Sequence, residues 1–210
     1  PALESRIQDA ESRVVITADV GYDRGKVINL KSVVDQAVAN CRSVERVVVV
    51  RREPSSPALS APKELDWHDW LDKEKAVCTA EPLDAEAPLY ILYTSGTTGK
   101  PKGVVHVHGG YMVGTYITTK YVFDLKEDDV YFCVADPGWV TGMSYGIIAP
   151  LTHGVTSIVD EADFDAERWY RILQDHRVSV WYTAPTAIRM LMKAGDELPR
   201  RFEFPALRFI

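Results

Sequence analysis

The residues most able to do chemistry in this sequence are consecutive: Tyr93-Thr94-Ser95-Gly96-Thr97-Thr98-Gly99-Lys100-Pro101-Lys102-Gly103. Four Ser and Thr hydroxyls, three glycines and two lysines share eleven positions. Glycines let a backbone turn tightly and bring its N–H groups close to an anion. Hydroxyls donate to phosphate oxygens, and lysines add compact positive charge. The chemistry is that of a phosphate site, set against the plainer alternative of a solvated Gly/Thr hairpin; the lysines beside the hydroxyls favour the phosphate site. The spacing excludes two common nucleotide motifs. A Walker A loop needs four residues between its glycines and Ser or Thr directly after Lys; here two residues separate Gly96 from Gly99, and Pro101 follows Lys100. The dinucleotide fingerprint G-x-G-x-x-G is also unmet.

Such a loop needs elements to hold it. Residues 89–92 before it and 104–105 after it are apolar, so the loop is expected between two buried strands. Strands with β-branched or apolar runs are expected at 14–17, 46–50, 130–134, 155–159 and 178–183. Helices are expected at 5–10, 30–39 and 111–122, and again after Asp163 or Asp165, either of which can cap a helix burying Trp169, Ile172 and Leu173. A last helix starts with Pro185 in its first turn and has Gly195 past its end. Strands alternating with helices predict an α/β fold of layered, largely parallel sheets flanked by helices. The proline-bounded stretch 81–88 is the expected boundary between two subdomain pieces, 1–87 and 88–210.

Two further loops combine reactive residue types. Asp23-Arg24-Gly25-Lys26 lies between the first strand and the second helix, where it reads either as an ordinary connection or as an anion contact. Ala135-Asp136-Pro137-Gly138-Trp139-Val140-Thr141-Gly142 follows a strand, the position at which open α/β sheets bind ligands. As alternatives, Trp139 is core and Gly142 a packing position. On a strand His106 and His108 would share a face and a metal would be possible, but no third ligand lies nearby, so helix-entry or surface histidines are expected and no metal site. His68 and Asp69 are adjacent, and adjacent side chains rarely face each other.

Composition narrows the class. With 46% hydrophobic and 26% charged residues among 210, the chain reads as a soluble globular protein. Its net charge of −6 offers no general attraction to nucleic acid or anionic membrane, so any anion site must be local. Three scattered cysteines, no signal peptide and no apolar run of membrane-spanning length make cytoplasmic the expected location. Oligomeric state has no visible signature. Both ends look cut, the last residues forming the apolar run 206–210.

The eleven-residue motif resembles the phosphate-binding signature of the adenylate-forming enzymes, and Ala135–Gly142, residues 181–189 (Trp-Tyr-Thr-Ala-Pro-Thr-Ala-Ile-Arg), 84–89 and 16–19 are similar to the acetyl-CoA synthetase branch of that family. The resemblance implies a fragment of the large N-terminal domain of an enzyme that activates acetate as acetyl-AMP and passes the acetyl group to coenzyme A. It implies ATP, Mg²⁺ and coenzyme A as cofactors and small-molecule partners (acetate or a similar short acid, ATP and coenzyme A), beside the absence of nucleic-acid and membrane partners expected from composition. In these terms Thr94, Ser95, Gly96, Thr97, Thr98, Gly99, Lys100 and Lys102 meet the ATP phosphates. Asp23, Arg24, Gly25, Lys26, Asp136, Thr141 and Ala184 meet coenzyme A, and Trp139, Val140 and Thr141 line the acyl pocket. Asp23 stands where such synthetases often carry arginine, which leaves Arg24 and Lys26 to bear that contact. The adenine-binding segment, the acidic magnesium ligand, the ribose-binding aspartate and the C-terminal domain with its catalytic lysine are expected beyond Ile210, so no catalytic residue and no metal ligand is assigned within the chain. Propionate or a longer acid as substrate, and a non-catalytic nucleotide-binding module, are the alternatives.

Overall fold

A computed structural model describes residues 2–23, 25–56, 59, 61–94 and 102–210. The chain divides into two compact units, Pro1–Glu81 and Pro82–Ile210.

In the first unit, α1 (Ala2–Asp9) leads to β1 (Val14–Ala18), a hairpin of β2 (Val20–Asp23) and β3 (Lys26–Asn29), α2 (Leu30–Val38), β4 (Arg46–Val50), β5 (Glu64–Asp66) and α3 (Trp67–Leu71). The sheet order is β1-β4-β5, parallel throughout, with Val14 opposite Arg46 and Val47 opposite Glu64. The four valines of β4 place it at the sheet centre, where Val47, Val48 and Val49 are buried. Helix α2 starts where Asn29 Oδ1 accepts from Ser32 N at 2.9 Å, and its Val34 and Ala37 join Ile7, Cys41, Val44, Val47 and Val49 in one core. β1 is less buried than its composition suggests: as an edge strand it leaves Ile16 62% exposed. The expected loop over 18–26 is instead the β2–β3 hairpin, with Val20 opposite Asn29 and Asp23 opposite Lys26.

The second unit opens with the hairpin of β6 (Pro88–Thr94) and β7 (Lys102–Val107), followed by α4 (His108–Tyr121) and β8 (Val130–Cys133). A π-helix (Gly142–Ile148), α5 (Ala149–His153), β9 (Thr156–Ile158), α6 (Ala166–Asp175), β10 (Val180–Tyr182), α7 (Pro185–Lys193) and a short 3-10 helix (Pro199–Arg201) follow. Its sheet has the order β10-β8-β9, again all parallel. Central β8 is covered on both faces. Phe132 packs with Trp169, Leu173, Val178 and Trp181, while Tyr131 packs with Phe123, Leu125, Val155 and Val180. Asp165 Oδ1 caps α6 by accepting from Arg168 N at 2.6 Å. Gly154 (φ +68°) and Gly195 (φ +92°) end α5 and α7 in the left-handed conformation that glycine tolerates best. Parallel sheets flanked by helices bear out the α/β reading. The strands around the phosphate motif differ from expectation, because β6 and β7 form an antiparallel pair whose Ile91, Val104 and Val105 are exposed.

Candidate functional site

The β6–β7 register sets Thr94 directly opposite Lys102, with Thr94 Oγ1 3.5 Å from the Lys102 carbonyl. The two ends of the phosphate motif are therefore joined across neighbouring strands. Ser95, Gly96, Thr97, Thr98, Gly99 and Lys100 lie outside the described residues, as does Arg24. Gly103 is constrained by its cross-strand neighbour: a Cβ there would lie 2.8 Å from Ile91 Cγ2.

Behind this hairpin lies an aromatic stack. Tyr90 of β6 stacks on His106 of β7 at 4.8 Å, and Tyr111 of α4 meets both edge-on, at 5.1 Å from Tyr90 and 5.3 Å from His106. Burial, and after it the neighbouring Tyr111 hydroxyl, pushes the Tyr90 hydroxyl's pKa up, so it stays neutral at physiological pH. The Tyr111 hydroxyl is 2.5 Å from Ser144 Oγ, and Ser144 is 3% exposed inside the π-helix. His106 thus serves packing, and His108 is the first residue of α4. Among the described residues no group of three His, Cys, Asp or Glu side chains could hold a metal ion.

The loop after β8 turns sharply. Gly138 N donates to Asp136 Oδ1 at 2.6 Å, Trp139 N to the Asp136 carbonyl at 3.0 Å, and Met143 N to the Trp139 carbonyl at 3.0 Å. Gly142 passes so close that a Cβ would lie 2.1 Å from the Asp136 carbonyl oxygen. The packing alternative therefore holds for Gly142. It fails for Trp139, which is 74% exposed beside a half-exposed Val140, because the turn aims that side chain away from the sheet. β10 runs parallel to β8, with Tyr182 opposite Cys133, so Ala184 leaves the same sheet edge as Asp136–Thr141. Ala184 is exposed and precedes α7. The structure thus brings Asp136, Trp139, Val140, Thr141 and Ala184 to one edge.

In the first unit, Asp23, Gly25 and Lys26 form an exposed hairpin tip. Gly25 has φ +73° and open space around it. Behind the tip, Asp19 is 6% exposed and accepts from Val20 N at 2.7 Å, Arg52 N at 2.9 Å, Glu53 N at 3.2 Å and the Ser56 hydroxyl at 2.5 Å. Burial opposes ionisation of Asp19, but the Ser56 hydroxyl and these backbone donors outweigh it and hold its pKa at about 2. The Arg52 guanidinium lies 4.8 Å over the Tyr22 ring. Sequence reading missed Asp19, Tyr111 and Ser144 as organising residues. Asp19 after a strand and a Gly in the following turn were visible signals; the Tyr111–Ser144 pair, 33 positions apart, had none.

A parallel α/β sheet whose carboxyl edge carries an exposed loop, beside a hairpin with a hydroxyl- and lysine-rich connection, is the architecture of a nucleotide-handling α/β protein. The chain belongs to the AMP-binding enzyme family, whose model matches residues 1–210. It is 49% identical to an acetyl-coenzyme A synthetase of Methanothrix thermoacetophila over 99% of this chain and 32% of the relative. It is 50% identical to an acetyl-coenzyme A synthetase of Streptomyces coelicolor over 100% of this chain and 33% of the relative. A crystal structure of an acyl-CoA synthetase from Brucella canis superposes with a TM-score of 0.78 at 25% identity, covering 99% of this chain and 34% of that one. The chain spans about a third of the length of these relatives. Among the described residues no helix is long and apolar enough to cross a membrane.

Proposed function

We propose that the chain is part of an ATP-dependent, cytoplasmic acetyl-CoA synthetase, which joins acetate to AMP with release of pyrophosphate and then transfers the acetyl group to coenzyme A. The observation that carries this reading is the near-half identity to proteins of that name over essentially the whole chain. The first step brings a carboxylate to the α-phosphate of a polyanion, so the protein must hold and neutralise the phosphate chain. Thr94, Ser95, Thr97, Thr98, Lys100 and Lys102 are assigned that task, with Gly96 and Gly99 letting the backbone approach. Exposed Lys102 beside Thr94 at the hairpin end fits it. Trp139, Val140 and Thr141 are assigned to the acetyl methyl, which fits an indole and an isopropyl group left exposed at a sheet edge. Asp136, Thr141 and Ala184, and separately Asp23, Arg24, Gly25 and Lys26, are assigned to coenzyme A, whose phosphates suit the basic tip. Mg²⁺ would supply further neutralising charge. Among the described residues no group of three His, Cys, Asp or Glu side chains could hold it, and no residue is assigned to it here.

The test uses the full-length protein. Acetate-dependent ATP–pyrophosphate exchange is expected, and Lys102→Ala should slow it by about 10²-fold, the usual loss of one charge-stabilising group. Exchange with propionate or butyrate in preference to acetate would move the substrate to a longer acid, and no exchange with any acid would favour a non-catalytic module.

A further inference from the structure

The phosphate hairpin and the acyl loop are separate stretches of sequence, but a continuous line of contacts joins them. Tyr111 stacks edge-on against Tyr90 and His106, one from each strand of the β6–β7 hairpin. Its hydroxyl reaches Ser144 Oγ at 2.5 Å. Ser144 sits in the π-helix that begins at Gly142, and Ala149 N donates to its carbonyl, the wide pairing of that helix. The start of the π-helix is held close, with Gly142 against the Asp136 peptide and no room there for a Cβ, while Gly146 faces Cys133 Sγ of β8 at ordinary contact distance. Through Trp139 and Met143 the helix start is bonded to the turn that presents Trp139, Val140 and Thr141. π-helical turns are rare and tend to occur at functional sites.

From this line of contacts we infer that Tyr111 and Ser144 are positioning residues, which lock the acyl loop to the phosphate hairpin so that acid and ATP meet in register. The inference rests on the function proposed above. Their effect is carried by the placement of the 136–142 turn, where a shift of about 1 Å suffices to cost 10²-fold in rate. The ring of Tyr111 packs against the hairpin and its hydroxyl reaches the π-helix, so the two contributions separate chemically: Phe keeps the packing and removes the tie.

Two measurements on the full-length protein test this. The first is amide hydrogen exchange of the peptide covering 134–143. Tyr111→Phe and Ser144→Ala should each speed it roughly fivefold, as expected for loss of one supporting hydrogen bond, and the double variant should add little. The second is kinetic. Each single variant should lower kcat/KM for acetate about tenfold, leave the KM for ATP within about twofold, and blunt the preference for acetate over propionate. Ser144→Thr, which keeps a hydroxyl, should restore most of the loss. Unchanged exchange at 134–143 overturns the inference, as does an equal loss toward ATP and acetate, which would report a general structural defect. If the wild-type protein shows no acetate-dependent activity, the proposed function fails while the exchange comparison still decides whether the two hydroxyls tie the loop.

Discussion

Gly142→Ala is the substitution for which the structure makes the sharpest demand. Its backbone φ is not in the left-handed region, so alanine's conformational range is not the obstacle; space is. The new Cβ would lie 2.1 Å from the Asp136 carbonyl oxygen, 2.4 Å from that carbonyl carbon and 2.7 Å from Pro137 N. These are backbone atoms and cannot rotate aside, so the 136–137 peptide and the π-helix must part by roughly 1 Å to reach ordinary contact. Overpacking costs about 1–3 kcal/mol, and a rigid backbone neighbour puts this case at the upper end. Moving the Asp136 carbonyl also endangers the Trp139 N–H bond it accepts, a further loss of about 1 kcal/mol. A total near 4 kcal/mol predicts a fall on the order of 10–20 °C in the melting temperature of this unit, whose size lies between the small-domain and larger-domain scalings. The displaced turn carries Trp139–Thr141, so kcat/KM for acetate should fall by about 10²-fold. Calorimetry and acetate kinetics on the full-length enzyme read both effects. Gly114→Ala in α4 is the control: nothing lies within 4 Å of its Cβ, and the helix should gain about 1 kcal/mol. A Gly142→Ala enzyme that melts and turns over like wild type would refute the close-approach argument.

Three other outcomes are expected. Lys26→Glu at the exposed β2–β3 tip should raise the KM for coenzyme A several-fold, on the order of 1 kcal/mol of lost charge attraction, with ATP–pyrophosphate exchange unchanged; equal damage to both half-reactions would contradict the assignment. Val140→Gly should enlarge the acyl pocket and improve propionate or butyrate relative to acetate, since each methylene discriminates by about 1–3 kcal/mol; an unaltered ranking of the three acids would place the pocket elsewhere. Asp19→Asn should destabilise its unit by about 1–3 kcal/mol at neutral pH, because three backbone N–H groups and a hydroxyl lose a charged acceptor. The folded pKa of Asp19 lies at about 2 against 3.8 unperturbed, so the carboxylate stabilises above pH 4 and that contribution drains away as pH falls toward 2. Denaturant midpoints of wild type and Asp19→Asn should therefore converge between pH 4 and 2, and a constant gap would exclude this network as the cause.

Local chemistry made some of these features legible in the sequence. The valine run of β4, the capped amphipathic α6 and the Pro185 start of α7 each follow from residue type and period, and each appears where expected. The β2–β3 hairpin was missed because its strands are four residues long and polar at the tip, although Gly25 at φ +73° marks the turn. The exposure of Ile16 and Ile91 was missed for another reason: apolar runs report strand propensity, and which face a strand buries depends on its neighbours. The site divides in the same way. The phosphate motif was the clearest signal in the chain. The contact between Tyr111 and Ser144, inferred above to tie its hairpin to the 136–142 turn, joins residues whose types are common and whose spacing carries no period.

That division has a physical basis. A residue that must meet a ligand has to keep its side chain free, and Trp139, Val140 and Lys26, assigned to ligands in the function proposed above, are all exposed. A loop made of such residues cannot order itself by burying them, since the apolar surface that would stabilise it is reserved for the ligand. Its order must come from behind. In the first unit it comes from Asp19, whose carboxylate gathers the start of β2 and the chain after β4 into one network. In the second it comes from Ser144 and from the close approach of Gly142, with no charge involved. Asp19 and Ser144 are buried polar groups, which are costly to leave unpaired, and at Gly142 an added methyl has no room. They should therefore tolerate substitution less than the exposed residues they support. A mutational scan would then find its stability losses at Asp19, Gly142 and Ser144, and its losses in substrate preference, without loss of stability, at Lys26, Trp139 and Val140.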